Sequence, residues 1–156
     1  MGRLFDAMSA LMTVCLINGF ESEAAIRLES LIDPMEKASY PFVLQDKTID
    51  VRPLIHAVVE DAERGVNISI MSTRFHLAVV DMIIRGAQQI RTGRNLHKIV
   101  LSGGTFQNRF LVEKTEERLR LLGFEVYVPR RIPVSDGGIA LGQLVIAAKR
   151  RQITCA

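Results

Sequence analysis

The sequence predicts an α/β fold that is predominantly helical and contains a small, mostly parallel sheet. Two compact apolar segments, 98–104 and 124–129, have the length and composition of buried strands. Each is followed by a short loop and an amphipathic segment, which is the order found in parallel strands joined by right-handed helical crossovers. Before residue 97 most apolar residues recur at helical spacing, so this part is expected to be mainly helical.

The N-terminal part is predicted to begin with two helices and a hairpin. Apolar residues at helical spacing predict a helix over 2–17, which ends at Asn-Gly, and a second over 21–32, which ends at Asp-Pro. Residues 40–51 are predicted to form a short hairpin that turns at Asp46 and Lys47.

Two further helices are predicted before the first parallel strand. Asp50 is placed to cap a helix over 51–63 that has a proline in its first turn, and Gly65 ends that helix. A long helix is predicted over 67–91, ended by a Thr-Gly pair. After it come the strand at 98–104, a helix over 105–123, the strand at 124–129 and a closing helix over 135–151.

Composition limits the classes of function. The 156 residues suit one domain, and 48% apolar with 24% charged residues predict a real core. A net charge of +3 without a basic face argues against nucleic-acid binding. No apolar run is long enough to cross a membrane and the N-terminus does not resemble a signal peptide, so a cytoplasmic location is expected. Cys15 and Cys155 show no metal-binding spacing.

A glycine turn follows the first predicted parallel strand. Ligands of parallel α/β units collect beyond the carboxyl ends of the strands, where this turn is expected to lie. Gly103 and Gly104 allow a ligand to approach the backbone closely. Asn108, expected in the first helical turn, carries a donor and an acceptor that suit a purine edge or a ribose. The alternative is that these residues only make a tight connection.

The aspartates also allow two interpretations. Asp136, before the closing helix, suits a helix N-cap or an oxygen ligand for a cation. Asp6 lies in the first turns of its helix, where a carboxylate favours the helix dipole. The three histidines are scattered and form no pair with metal-binding spacing, and no catalytic Ser/His/Asp or Cys/His set is indicated.

Four motifs in order resemble one family. They are "GRLFDAMSAL" (2–11), "FESEAAIRLE" (20–29), "LSGGTFQNRFL" (101–111) and "GFEVYVPRRIPVSDGGIALGQ" (123–143). Together they resemble the C-terminal part of HypF, the carbamoyltransferase of nickel-iron hydrogenase maturation. The related tRNA threonylcarbamoyl transferases share the domain and remain an alternative, but "FQNRFL" and "SDGGIALGQ" favour the HypF side.

The resemblance implies a partial lobe of the actin/sugar-kinase/Hsp70-like ATPase fold, which encloses a nucleotide and a metal. The family uses carbamoyl phosphate and ATP to form carbamoyl adenylate, and it transfers the carbamoyl group to the C-terminal cysteine of HypE. By resemblance, Asp6 holds the nucleotide ribose, while Gly103, Gly104 and Asn108 form the adenosine-binding turn. Asp136 is implied as one ligand of a divalent metal, zinc or iron.

Two departures from the family pattern shape the expectations. Ser22 stands where the family carries a glycine near the nucleotide, which predicts a crowded corner. The histidine pair that completes the family's metal site is absent, as are the other HypF domains. Residues 1–156 are therefore expected to be one partial domain that keeps part of the nucleotide and metal site and is inactive alone. The alternative is a non-catalytic interaction or assembly module.

A homodimer is also expected. Only two strands are predicted for the parallel sheet, and open edges invite pairing. The helices predicted over 2–17 and 67–91 are expected to expose apolar faces left by missing strands, and a second copy is the simplest cover. The alternative is that the hairpin predicted over 40–51 folds back to cover the sheet edge.

Overall fold

A computed structural model describes residues 1–46 and 48–154, with the side chains of 152–154 not described. Lys47, predicted at the hairpin turn, and Cys155 lie outside the described residues. In chain order the N-terminal part contains α1 (Gly2–Leu11), α2 (Glu23–Ser30), β1 (Val43–Gln45), β2 (Thr48–Asp50), α3 (Arg52–Glu63) and α4 (Ile68–Arg94). The β1–β2 pair is antiparallel, so the predicted hairpin is confirmed.

The C-terminal part alternates strands and helices as predicted. It contains β3 (Lys98–Val100), a 3-10 turn (Gly104–Gln107), α5 (Arg109–Leu121), β4 (Glu125–Tyr127), a second 3-10 turn (Asp136–Gly138) and α6 (Ile139–Thr154). β3 and β4 pair in parallel, with Lys98 opposite Glu125 and Val100 opposite Tyr127. Helix α5 is thus the crossover between two parallel strands.

Helix α4 is the centre of the core. It packs against α2, α3, α5 and β1, and ten of its residues are buried. Phe75 and Val79 on this helix are fully buried, as are Met8 on α1, Leu28 on α2 and Leu111 on α5. The helical part and the crossover unit therefore share one apolar cluster, which fixes α1, α2 and the start of α5 relative to one another.

The first helix is shorter than predicted. It ends at Leu11, and Thr13 takes a left-handed conformation with φ of 56° that an α-helix cannot continue. Leu16 and Ile17 are exposed, so the apolar run after residue 12 does not extend the helix. The expectation of an exposed apolar face on α1 is wrong, because Phe5 and Met8 are buried in the core.

Other boundaries also differ from the prediction. α4 continues through Thr92 and Gly93 to Arg94 and ends at Asn95, whose φ is 53° and whose N–H donates to the Arg91 carbonyl at 2.7 Å. A glycine inside a helix costs about 1 kcal/mol but does not end it. α4 is largely buried, so its predicted exposed apolar face is also wrong.

Helix α6 is exposed along its described length. Every described side chain from 139 to 151 is exposed, including the apolar Leu144, Val145 and Ile146. The unburied apolar surface predicted for α1 and α4 is therefore found on α6 instead. None of the described helices combines the length and the apolar composition needed to cross a membrane.

Candidate functional site

Three distant segments of the chain form one pocket. It has a volume of about 450 Å³, within the range of about 300–1,000 Å³ typical of small-molecule sites. Its walls come from the start of α1, one face of α2 with its N-cap, and the 3-10 turn before α5 with the residue after it: Gly2, Phe5, Ser22, Ala25, Ile26, Glu29, Gly104, Thr105, Gln107 and Asn108. These residues belong to the first three family-like motifs.

The glycine turn gives its two glycines different roles. Gly103 has φ of 101° and ψ of 163°, a conformation available essentially to glycine alone. Its N–H donates to the Val134 carbonyl at 2.9 Å, which links this turn to the loop before α6. Gly104 lines the pocket, and a Cβ placed there meets no atom within 4 Å. Gly103 therefore shapes the turn, while Gly104 leaves space beside it.

Asn108 is the N-cap of α5 rather than a residue of its first turn. Its Oδ1 accepts a hydrogen bond from the Leu111 N–H at 2.9 Å, and its Nδ2 donates to Nε2 of His76 at 3.1 Å. The residue is 8% exposed. Both ends of the side-chain amide are thus hydrogen-bonded inside the protein. The main role of Asn108 is therefore to hold the pocket wall in place.

His76 is a buried, neutral partner in this network. Its Nδ1–H donates to the Ser72 carbonyl at 2.8 Å, which leaves Nε2 free to accept from Asn108. Phe5 and Phe75 pack at right angles to the imidazole. Burial lowers the pKa of His76 to about 4, so the ring is uncharged at neutral pH.

Asp6 lies beside the pocket rather than in its wall. It follows the lining residue Phe5 and lies one helical turn after Gly2. Its Oδ1 accepts a hydrogen bond from Nδ2 of Asn18 at 3.2 Å. Asn18 also accepts from the Ala24 N–H at 3.0 Å, so a single amide joins the Asp6 carboxylate to the start of α2.

Glu29 connects the pocket to α5. Its Oε1 accepts from the N–H of Arg109 at 2.7 Å and from the N–H of Phe110 at 3.2 Å. These are the first two residues of α5, whose N–H groups have no partner within the helix. The side chain also lines the pocket, so a carboxylate sits where the pocket meets the helix end.

Ser22 occupies a position that favours glycine. It is the N-cap residue of α2, with φ of 63° and ψ of 15°, and its side chain makes no capping bond. The left-handed conformation is strained for a residue with a Cβ. Ser22 also lines the pocket, and the crowding of a ligand by its side chain stays a prediction.

Asp136 lies apart from the pocket. It is exposed, and within the described part of the chain its carboxylate makes no hydrogen bond or ion pair. Ser135, not Asp136, is the N-cap residue of the 3-10 turn before α6, and its side chain makes no capping bond. The predicted cap role of Asp136 is therefore wrong. Close by, a Cβ on Gly138 would lie 2.5 Å from the Pro133 carbonyl oxygen, so this loop is shaped around a glycine.

The described residues do not form a metal cage by themselves. No group of three or more His, Cys, Asp or Glu among them is arranged to hold a metal ion. Tight cation sites combine several ligands, and Asp136 offers one carboxylate. The pocket described above has instead the volume of a small-molecule site and a glycine wall that a ligand can approach.

Comparison with known proteins identifies the relatives of this arrangement. A family model described as "Carbamoyltransferase, Kae1-like Domain, second subdomain" matches residues 1–143. The chain belongs to this HypF carbamoyltransferase family. HypF of Synechocystis is 38% identical over 160 residues, which cover 99% of this chain and 20% of that protein. HypF of Rhizobium leguminosarum is 33% identical, covering 92% and 19%. The chain thus spans about a fifth of these HypF relatives.

Solved HypF structures share the fold. Full-length HypF in its phosphate- and nucleotide-bound form matches with a TM-score of 0.88 and 43% identity, over 96% of this chain and 24% of that one. HypF of T. kodakarensis matches with a TM-score of 0.80 and 24% identity, over 94% and 19%. The predicted partial α/β lobe of the HypF family is therefore confirmed.

Three supports of the pocket wall are not predicted by the sequence. They are the contact of Glu29 with the start of α5, the bond of Asn18 to Asp6, and the bond from Asn108 to His76. None of these contacts has a local pattern, since Glu29 and Arg109 are 80 residues apart and His76 and Asn108 are 32 apart.

Proposed function

We propose that this chain supplies one wall of the adenosine-nucleotide site of a HypF-type carbamoyltransferase in hydrogenase maturation. The observation that carries the proposal is the pocket itself. It brings together three family-like motifs that are separated by up to about a hundred residues in the sequence. The nucleotide-bound HypF relative, with a TM-score of 0.88, supports the same assignment.

Each residue has a defined task in this proposal. Asp6 offers a carboxylate oxygen to ribose hydroxyls, and Asn18 orients it through the 3.2 Å hydrogen bond. Gly103 gives the turn its shape, and Gly104 lets the ligand approach the backbone. Asn108 fixes this turn to the start of α5 by capping the helix. These residues bind and orient the ligand, and no catalytic residue is assigned in the chain.

For the whole enzyme we propose the family reaction. Carbamoyl phosphate and ATP give carbamoyl adenylate, and the carbamoyl group passes to the C-terminal cysteine of HypE for cyanide-ligand synthesis. The remaining HypF domains are then partners of this chain. A cytoplasmic location fits the free thiol of Cys15 and the use of ATP.

Asp136 is proposed as one ligand of a divalent metal that other parts of HypF complete. The exposed, unpaired carboxylate is available for that role. Alone it should bind zinc or iron weakly, since one carboxylate with water makes a poor cage. Calorimetry showing micromolar metal binding that disappears in Asp136→Ala would contradict this assignment.

Titration of adenosine and ATP into the purified chain tests the proposed site. Gly104→Ala adds a methyl group to the pocket wall without a clash in the fold, so it should weaken binding about ten-fold while the unfolding midpoint stays unchanged. Gly86→Ala is the control, because that glycine has open space but lies on α4 away from the pocket. Absence of binding at millimolar ligand would remove the proposed site.

The chain alone is expected to catalyse no carbamoyl-adenylate formation. Adenylate formation requires the carbamoyl-phosphate and ATP sites to be held together, and only part of one site is proposed here. Carbamoyl-phosphate-dependent conversion of ATP to AMP by the purified chain would contradict this expectation.

An assembly role is a second candidate, favoured by the surface of α6. Leu144, Val145 and Ile146 are between 56% and 67% exposed on a helix whose described side chains are all exposed. Surfaces of this kind usually find a cover. A homodimer or the remaining HypF domains would provide one.

A further inference from the structure

Glu29 closes the N-terminal end of helix α5. The helix has 13 residues, and its first free N–H groups carry the positive end of the helix dipole. Such an end is a common phosphate-binding position. Here the Arg109 and Phe110 N–H groups already donate to Oε1 of Glu29, at 2.7 and 3.2 Å. The donors that a phosphate would use are therefore occupied by an internal anion.

The charges around the pocket also disfavour a phosphate at the start of α5. Among the ten described residues that line it, Glu29 is the only ionisable one, so the wall carries a negative charge. Asp6 adds a second carboxylate beside it. The nearest cation on α5, Arg109, is turned to Glu113, with its Nε 2.7 Å from Oε1. A phosphate at the start of α5 would meet the Glu29 carboxylate rather than free N–H groups.

From this geometry we infer that Glu29 determines the specificity of the pocket, which takes the uncharged nucleoside part of a ligand and excludes phosphate from α5. The inference rests on the proposed nucleotide site and refines it. The nucleoside lies between α1, α2 and the 104–108 turn, and its phosphates leave the pocket on the side away from Arg109 and Phe110. Phosphate groups consequently gain no affinity from the start of α5.

The experiment compares adenosine, AMP and inorganic phosphate on the purified 156-residue chain. The wild-type protein should bind adenosine at least as tightly as AMP. Glu29→Ala frees the two N–H groups and should raise the affinity for AMP relative to adenosine about ten-fold. Glu29→Gln keeps a carbonyl oxygen as acceptor but removes the charge, and it should give a smaller rise. Glu21→Ala removes an exposed acid that does not line the pocket, and it should leave the ratio unchanged.

Amide NMR shifts give a readout that does not depend on nucleotide binding. Inorganic phosphate should shift the Arg109 and Phe110 amide signals in Glu29→Ala and leave them in place in the wild-type protein. If the wild-type protein binds neither adenosine nor AMP, the proposed nucleotide site fails, and the phosphate shifts still decide the role of Glu29. Wild-type binding of AMP ten-fold tighter than adenosine overturns the inference. So does a Glu29→Ala protein in which the affinity ratio and the two amide signals are both unchanged.

Discussion

The side-chain nitrogen Nδ2 of Asn108 lies 3.1 Å from Nε2 of His76, so a buried neutral imidazole holds the residue that caps helix α5. The bond requires the Nδ1–H tautomer, which the 2.8 Å contact from Nδ1 to the Ser72 carbonyl also requires. One protonation state of His76 therefore supports both the packing on α4 and the wall of the pocket.

Stability should fall as the pH drops below the ordinary histidine pKa. The folded-state pKa of His76 is lowered to about 4 from 6.5, so between these values the unfolded chain binds a proton that the folded chain does not. The free energy of unfolding should decrease by about 1.4 kcal/mol per pH unit in this window, about 3 kcal/mol in all, and then level off for this group.

Urea unfolding between pH 4 and 7 measures this dependence. His76→Gln keeps an acceptor for Asn108 but cannot titrate, so the difference in unfolding free energy from wild type should shrink as the pH falls. His97→Gln, at an exposed histidine, is the control and should follow the wild-type curve. A constant difference between His76→Gln and wild type would show that His76 does not carry the effect.

Ser22→Gly should stabilise the protein. The left-handed φ of 63° is strained for serine, and relief of that strain outweighs the added freedom of glycine in the unfolded chain, by about 0.5–1 kcal/mol. Ser22→Ala is the matched control, since it removes the hydroxyl but keeps the Cβ, and should gain nothing. Thermal unfolding distinguishes the two. Equal stability of the glycine and alanine variants would show that the backbone here is not strained.

Exchange of the Asp6 and Asn18 side chains tests the proposed ribose contact. Asn18→Asp keeps an acceptor for the Ala24 N–H but places a second carboxylate against Asp6, which should cost up to about 1 kcal/mol at this partly exposed position. Adding Asp6→Asn restores a donor–acceptor pair and should recover stability. Adenosine binding should not recover, because the carboxylate then belongs to residue 18 and no longer to residue 6. Recovery of both would mean that Asp6 only positions α2.

Self-association is predicted from the exposed apolar surface of α6. Light scattering at micromolar concentration should give twice the 17.4 kDa mass of the chain. Leu144→Glu on α6 should shift the mass to that of the monomer. Leu121→Glu, at a residue 81% exposed on α5, is the control and should leave the dimer intact. A monomer mass for the wild-type chain would rule out the homodimer.

Local patterns predicted the C-terminal part well because its elements are short and strongly patterned. The parallel pairing of β3 and β4 and the crossover α5 follow from two apolar runs around an amphipathic segment. The end of α1 was not predictable in this way, since its apolar run continues past the left-handed Thr13. Glu29 was missed for a different reason: its partners are set by the packing of α2 against distant elements, which no local pattern records.

The length of helix α6 magnifies the effect of any rotation at the loop before it. Its 16 residues span about 24 Å, and the loop that carries it is tied to the glycine turn by the bond from Gly103 to Val134. A rotation of about 10° at this loop would swing the far end of α6 by about 4 Å, the product of that length and angle. A displacement of the glycine turn that rotated this loop would therefore move the distal end of α6 further than it moved the turn.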